Sequence, residues 1–169
     1  PHAAPGRVLT EALAPALGLE AGDIGLGAHH PAVWQGGPAF LYVPVASLDC
    51  LARARPIQPN WDALMQAAGV DSAYLYTPGQ DCDFRARMFS PTAGIPEDPA
   101  TGSASAILAA QLQASGALSG TEDRFVLHQG VEMGRPSRIH LTVQQDGDRL
   151  ARVLIRGSAV PVSSGLIAI

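Results

Sequence analysis

Apolar positions along this chain change their spacing several times, and each change predicts an element. Leu9, Leu13, Ala16 and Leu17 recur at helical spacing, with Thr10 placed to cap the run and Gly18 to end it. Pro15 inside that run predicts a short or broken helix. Residues 32–35 and 39–45 read as strands that turn through Gly36-Gly37-Pro38. Asn60 can cap a helix from Trp61 to Ala68, stopped by Gly69. Two more strands, 72–77 and 83–89, join through Pro78-Gly79. Past the middle, residues 125–129, 137–144, 149–156 and 159–169 read as successive strands. Asp146-Gly147 is a hairpin signal between two of them.

The segment between these two strand groups differs from both. From Ala104 to Ala114 no residue is charged, and only Ser105, Gln111 and Gln113 are polar. A helix apolar nearly all round is a buried one. The predicted helix spans residues 99–114, because Pro99 needs no N–H in a first turn and Asp98 can cap it. No sequential strand–helix–strand repeat is visible, which argues against a doubly wound parallel sheet. The expected fold is α+β, with a mixed or antiparallel sheet curled around this buried central helix.

Composition narrows the function classes. Of 169 residues, 47% are hydrophobic and 15% charged, enough for one domain with a real core. A net charge of −4 gives no electrostatic case for nucleic acid or an anionic membrane. All 11 basic residues are arginines, which excludes a lysine Schiff base and a P-loop. Cys50 and Cys82 have neither metal nor framework spacing and read as reduced thiols. His2, His29, His30, His128 and His140 show no metal-ligand spacing either. No metal and no cofactor is therefore expected. No apolar run approaches the ~20 residues of a membrane span, and no signal peptide is visible, so a cytoplasmic protein is expected.

The start of the buried helix is the candidate site. Glu97-Asp98-Pro99-Ala100-Thr101-Gly102-Ser103-Ala104 places two carboxylates, two hydroxyls and small residues at a helix N-terminus. Free backbone N–H groups and the positive dipole end there suit an anion. An ordinary capped helix is the alternative. Neighbouring strand residues point apart, so Asp98 is the better candidate to meet a ligand and Glu97 belongs at the rim. Arg85 and Arg87 share one strand face just before the motif. They read either as a solvated face or as a positive wall beside the site. Arg135 is open between an ion pair and a site-edge residue. Trp34 and Trp61 read as core or interface residues.

Met88-Phe89-Ser90-Pro91, Gly94 and the octapeptide from Glu97 to Ala104 resemble the signature of the PhzF-like isomerases of phenazine biosynthesis. Gln129-Gly130, Met133-Gly134-Arg135-Pro136-Ser137, Gly157-Ser158-Ala159-Val160 and Gly165 fit as well. The resemblance covers nearly the whole chain, but only the C-terminal half of a typical member. It implies one lobe of a diaminopimelate-epimerase-like fold, with the active site between two similar lobes. It matches Asp98 to the family's active-site aspartate and Ser103 to its substrate-contacting serine. Glu97, Thr101, Gly102, Ala104 and Arg87 complete the expected substrate-binding set. The proton-shuttling glutamate of such isomerases, with a nearby histidine, belongs to the N-terminal lobe, and no segment here matches it. Related racemases use a cysteine at this turn; Asp98 stands there, which disfavours two-cysteine chemistry.

The expected organisation is a linker over residues 1–8, a lobe over 9–158, and a last strand over 159–169 that returns to the missing N-terminal lobe. The expected function is the substrate-binding part of a cofactor-independent isomerase that moves a proton on a small carboxylated metabolite. The alternative is a non-catalytic domain that binds small anions or partners. Either way, a homodimer is the expected assembly.

Overall fold

The computed structural model describes residues 1–3, 8 and 10–167. Leu9, most of the expected linker and the capping side chain of Thr10 lie outside the described set. The strands are β1 (His2–Ala3), β2 (Ala32–Gln35), β3 (Ala39–Pro44), β4 (Ala73–Pro78), β5 (Phe84–Ser90), β6 (Ile95–Asp98), β7 (Glu122–Gln129), β8 (Ser137–Asp146) and β9 (Arg149–Arg156). The helices are α1 (Thr10–Leu17), α2 (Leu48–Arg53), α3 (Asn60–Ala68) and α4 (Gly102–Ala114).

All nine strands form one mixed sheet in the order β1-β2-β3-β4-β5-β7-β8-β9, with β6 paired to β5. Side-chain alternation along β3, β4 and β5 divides the core in two. Leu41, Val43, Ala73, Leu75 and Phe89 face a cluster built with α1, α2 and α3. Phe40, Tyr42, Tyr74, Tyr76, Phe84, Ala86 and Met88 face the other way, onto α4. Helices therefore cover both faces of the middle strands, which explains why those strands read as almost unbroken apolar runs. Strands β2 and β3 near one end of the sheet, and β8 and β9 at the other, all contact α4. Only a curled sheet brings both ends to one helix.

Several expectations change. The sheet is mixed and not doubly wound, as expected, but it holds two parallel pairs that the sequence pattern did not reveal: β3 and β4 across α2 and α3, and β5 and β7 across α4. The short helix α2, capped where Ser47 Oγ accepts the Cys50 N–H at 3.1 Å, is too brief to show periodicity. Within the expected linker, His2 and Ala3 pair with Gln35 and Trp34. Residues 157–167 form no strand, and 168–169 lie outside the described residues. Their apolar side chains suit a strand, but no ladder among the described residues takes them up.

Helix α4 is buried as expected, with Ala104, Ile107, Leu108, Ala109 and Leu112 in the core. Its start differs. Asp98 belongs to β6, opposite Met88, and Thr101 is the N-cap. A residue before proline favours extended backbone, and the β6 pairing claims Asp98 before the helix can. Pro99 and Ala100 then form the bend between strand and helix.

Candidate functional site

Three side chains lock the bend that delivers β6 to α4. Gln129, at the end of β7, is fully buried. Its Nε2 donates to the Asp98 carbonyl at 2.7 Å and to Thr101 Oγ1 at 2.9 Å. Its Oε1 accepts the Thr101 N–H at 3.2 Å. Thr101 Oγ1 in turn donates to the Asp98 carboxylate at 2.6 Å. Gly130 lets the strands close on this bend: its φ is +76°, and a Cβ there would sit 2.8 Å from Pro99. One fixed geometry results for the Asp98 carboxylate, which is half-buried on the α4 face of the sheet.

Beyond this lock the helix opens to solvent. Gly102 and Ser103 are exposed, whereas Thr101 and Ala104 are buried. The first intrahelical bond runs from the Ser105 N–H to the Thr101 carbonyl at 3.0 Å. The N–H groups of Gly102, Ser103 and Ala104 therefore have no partner within the helix. From beneath, Tyr42 Oη donates to the Ala104 carbonyl at 2.7 Å, and Tyr74 Oη lies 3.2 Å from Ser105 Oγ. Burial raises the pKa of both phenols, Tyr42 with help from the adjacent tyrosines, so both stay protonated. The turn is thus held from below by a tyrosine layer and from the side by Gln129. It offers backbone donors and one oriented carboxylate to whatever approaches.

Asp98, Thr101, Gly102, Ser103 and Ala104 come together in this way. Arg87 and Glu97 do not join them. They bind each other through two bonds of 2.8 and 2.9 Å, on the sheet face covered by α2. Arg87 Nη1 also donates to the carbonyls of Leu51, Ala52 and Ala54 at the end of α2. Neither a solvated face nor a positive wall describes this buried arginine: strand alternation sends it, like Glu97, away from Asp98. Arg85 pairs with Glu132 at 3.2 Å. Arg135 is exposed, and its backbone N–H donates to the Gly130 carbonyl at 2.9 Å. Trp61 is fully buried, as read, while Trp34 Nε1 donates to Gln111 at 2.6 Å.

Residues 1–165 match the family model described as phenazine biosynthesis-like protein. The chain belongs to the phenazine biosynthesis-like family. An uncharacterized isomerase of Mesorhizobium japonicum is 36% identical to it over 165 residues, 94% of this chain and 55% of that protein. The trans-2,3-dihydro-3-hydroxyanthranilate isomerase of Pseudomonas fluorescens is 34% identical over 137 residues, 81% of this chain and 47% of that protein. Among solved structures, a PhzF-family phenazine biosynthesis protein of Bacillus anthracis superposes with a TM-score of 0.77 at 26% identity, covering 96% of this chain and 55% of that one. The chain spans about half the length of the relatives it matches.

Two features of this family member escape a sequence reading. The tyrosine layer under α4 comes from β3 and β4, which lie far upstream of the helix in the chain, and only the fold brings it there. Likewise, Asp81, Cys82 and His128 carry no metal spacing in sequence, yet their side-chain donor atoms lie within 4.8 Å of one another. The parallel pairing of β5 and β7 makes that meeting. Both cysteines are free thiols, Cys50 buried and Cys82 half-buried.

Proposed function

We propose that this chain is the substrate-binding, C-terminal lobe of a cofactor-independent isomerase that relocates a proton on a small carboxylated metabolite. The lobe would be half of a diaminopimelate-epimerase-like pair. The observation that carries the proposal is the first turn of α4, where N–H groups with no partner in the helix stand beside the oriented carboxylate of Asp98. Backbone N–H groups at a helix start suit a substrate carboxylate. Asp98, already accepting from Thr101, can also accept from a substrate hydroxyl or ammonium and so fix its orientation. The dihydro-hydroxyanthranilate named for the Pseudomonas fluorescens relative carries groups of both kinds. Isomerisation removes one proton and returns one, so neither an oxidant nor a reductant is consumed. A general acid/base for that transfer would come from a facing lobe, leaving binding and orientation to this one.

Anthranilate titrated into the chain should shift the amide resonances of Gly102, Ser103 and Ala104 first, and anthranilamide should not. Helix-end attraction is about 0.3–1 kcal/mol per interaction, so binding by this lobe alone is expected to be weak. Shifts centred on Arg53 and Arg55 would remove α4 from the site. In a protein carrying both lobes, Asp98→Asn should lower turnover while leaving the fold intact, since asparagine still accepts from Thr101. Turnover equal to that of the unmodified protein would take Asp98 out of the reaction.

A further inference from the structure

Asp81 and Cys82 lie in the turn that joins β4 to β5, and His128 lies on β7 opposite Arg85 of β5, one residue before Gln129. We propose that Asp81, Cys82 and His128 form a binding site for a borderline-soft divalent cation, with zinc the best match. The donor set carries this first. A thiolate sulfur, an imidazole nitrogen and a carboxylate oxygen are the three ligand types that zinc combines, whereas magnesium and calcium take oxygen donors.

Geometry agrees. All three donor atoms lie within 4.8 Å of one another, and His128 Nδ1 is 3.5 Å from Asp81 Oδ1. Zinc bonds of about 2.0–2.3 Å in a tetrahedron place ligand atoms roughly 3.3–3.8 Å apart, so that pair already has the required separation. Asp81, whose side chain is 74% exposed, can rotate to adjust its distance to the sulfur of Cys82.

The other two ligands are held. His128 sits inside the ladder, opposite Arg85 on one side and Arg138 on the other. The turn carrying Cys82 is tied to β7 twice, by the Asp83 N–H to the Val126 carbonyl at 2.9 Å and by the Val126 N–H to Asp83 Oδ2 at 2.6 Å. Gly79 leaves room for the sulfur: a Cβ there would collide with Cys82 Sγ. Without metal, the thiol donates to the Phe84 carbonyl at 3.3 Å. A cation would replace the thiol proton, and water would take the fourth, solvent-facing position. The positive charge of Arg85 nearby is compensated by Glu132. Three protein ligands with an open position match the pattern of sites that exchange or use their metal, not of closed structural ones.

Cobalt(II) added to the metal-free protein tests this directly. A thiolate-to-cobalt charge-transfer band should grow to one equivalent per chain and vanish when zinc is added. Cys82→Ser should abolish the band, and His128→Asn should weaken cobalt binding by about tenfold or more. Cys50→Ser should change neither, although Cys50 also neighbours a carboxylate, with Sγ 3.1 Å from Asp23. Circular dichroism of each metal-free variant checks the fold. Absence of the band, or its loss in Cys50→Ser with survival in Cys82→Ser, would overturn the proposal; if Cys82→Ser does not fold, unchanged cobalt affinity in His128→Asn would do so.

Discussion

At the scale of single residues, the chain separates two adjacent carboxylates into different tasks. Glu97 closes a buried ion pair with Arg87, and Asp98 is presented at the start of α4. The pair's side chains are only 9% and 15% exposed, so removing one partner strands a charge in a poorly hydrated place. Arg87→Ala should therefore cost about 3–5 kcal/mol in urea unfolding, the range for breaking a buried pair from one side. Loss of the three α2 carbonyl contacts adds to it. An unchanged urea midpoint would show that the pair does not hold β5, β6 and α2 together. Glu97→Gln belongs with this test and makes a poor activity control for Asp98, because it disturbs the same pair. Alternation along a strand was enough to assign the two carboxylates to opposite faces. The partners of Arg87 were not legible, since they lie 10 residues ahead of it and 33 to 36 behind it in the chain.

Among the elements, α4 was the most legible, because eleven uncharged residues in a row admit few other readings. Its start was misplaced by three residues, since a strand pairing outcompeted a cap that propensity alone favours. Helix α2 and the β6 strand were too short to leave a periodic trace. A less visible tie joins the loop before β2 to β4, where His29 Nδ1 lies 2.8 Å from Tyr76 Oη. The rings of His29, Tyr76 and Phe84 pack around that bond. Burial, with a smaller repulsion from His30, holds the His29 pKa below its ordinary 6.5. The unfolded chain then binds a proton more readily than the folded one. His29 is neutral in both states well above 6.5 and contributes no pH dependence there. Stability is lost as pH falls below 6.5 toward the lower folded pKa. Urea midpoints at about pH 7.5 and about pH 5.5 should differ more for the unmodified chain than for His29→Asn. Equal differences would mean that the tie does not sense protonation.

At the scale of the whole molecule, among the described residues, one edge of the sheet is a short strand and the other a long one. At the first, β1 contributes two residues; at the second, β9 contributes eight and pairs only with β8. Leu154 and Ile155 on β9 are more than a third exposed. The chain then continues through residues 157–167 with Val160, Val162, Leu166 and Ile167 almost wholly in solvent. The sequence pattern predicts a strand here, and among the described residues no strand pairs with it. An unpaired edge beside a run of apolar side chains is a template for association. Burial of one such side chain is favourable by about 1.5–3 kcal/mol, so four of them can offset the cost of joining two chains. Self-association through a two-fold contact is therefore expected. Light scattering at micromolar concentration should report a mass near twice 17.5 kDa, falling toward that of one chain on dilution. Ending the chain after Gly157 should give a monomer whose urea midpoint no longer depends on protein concentration, because the removed residues that are described take part in no ladder of the chain itself. A truncated form that still pairs would move the contact to the β9 edge itself. A full-length chain that scatters as a monomer throughout would show that its exposed apolar segment does not drive assembly.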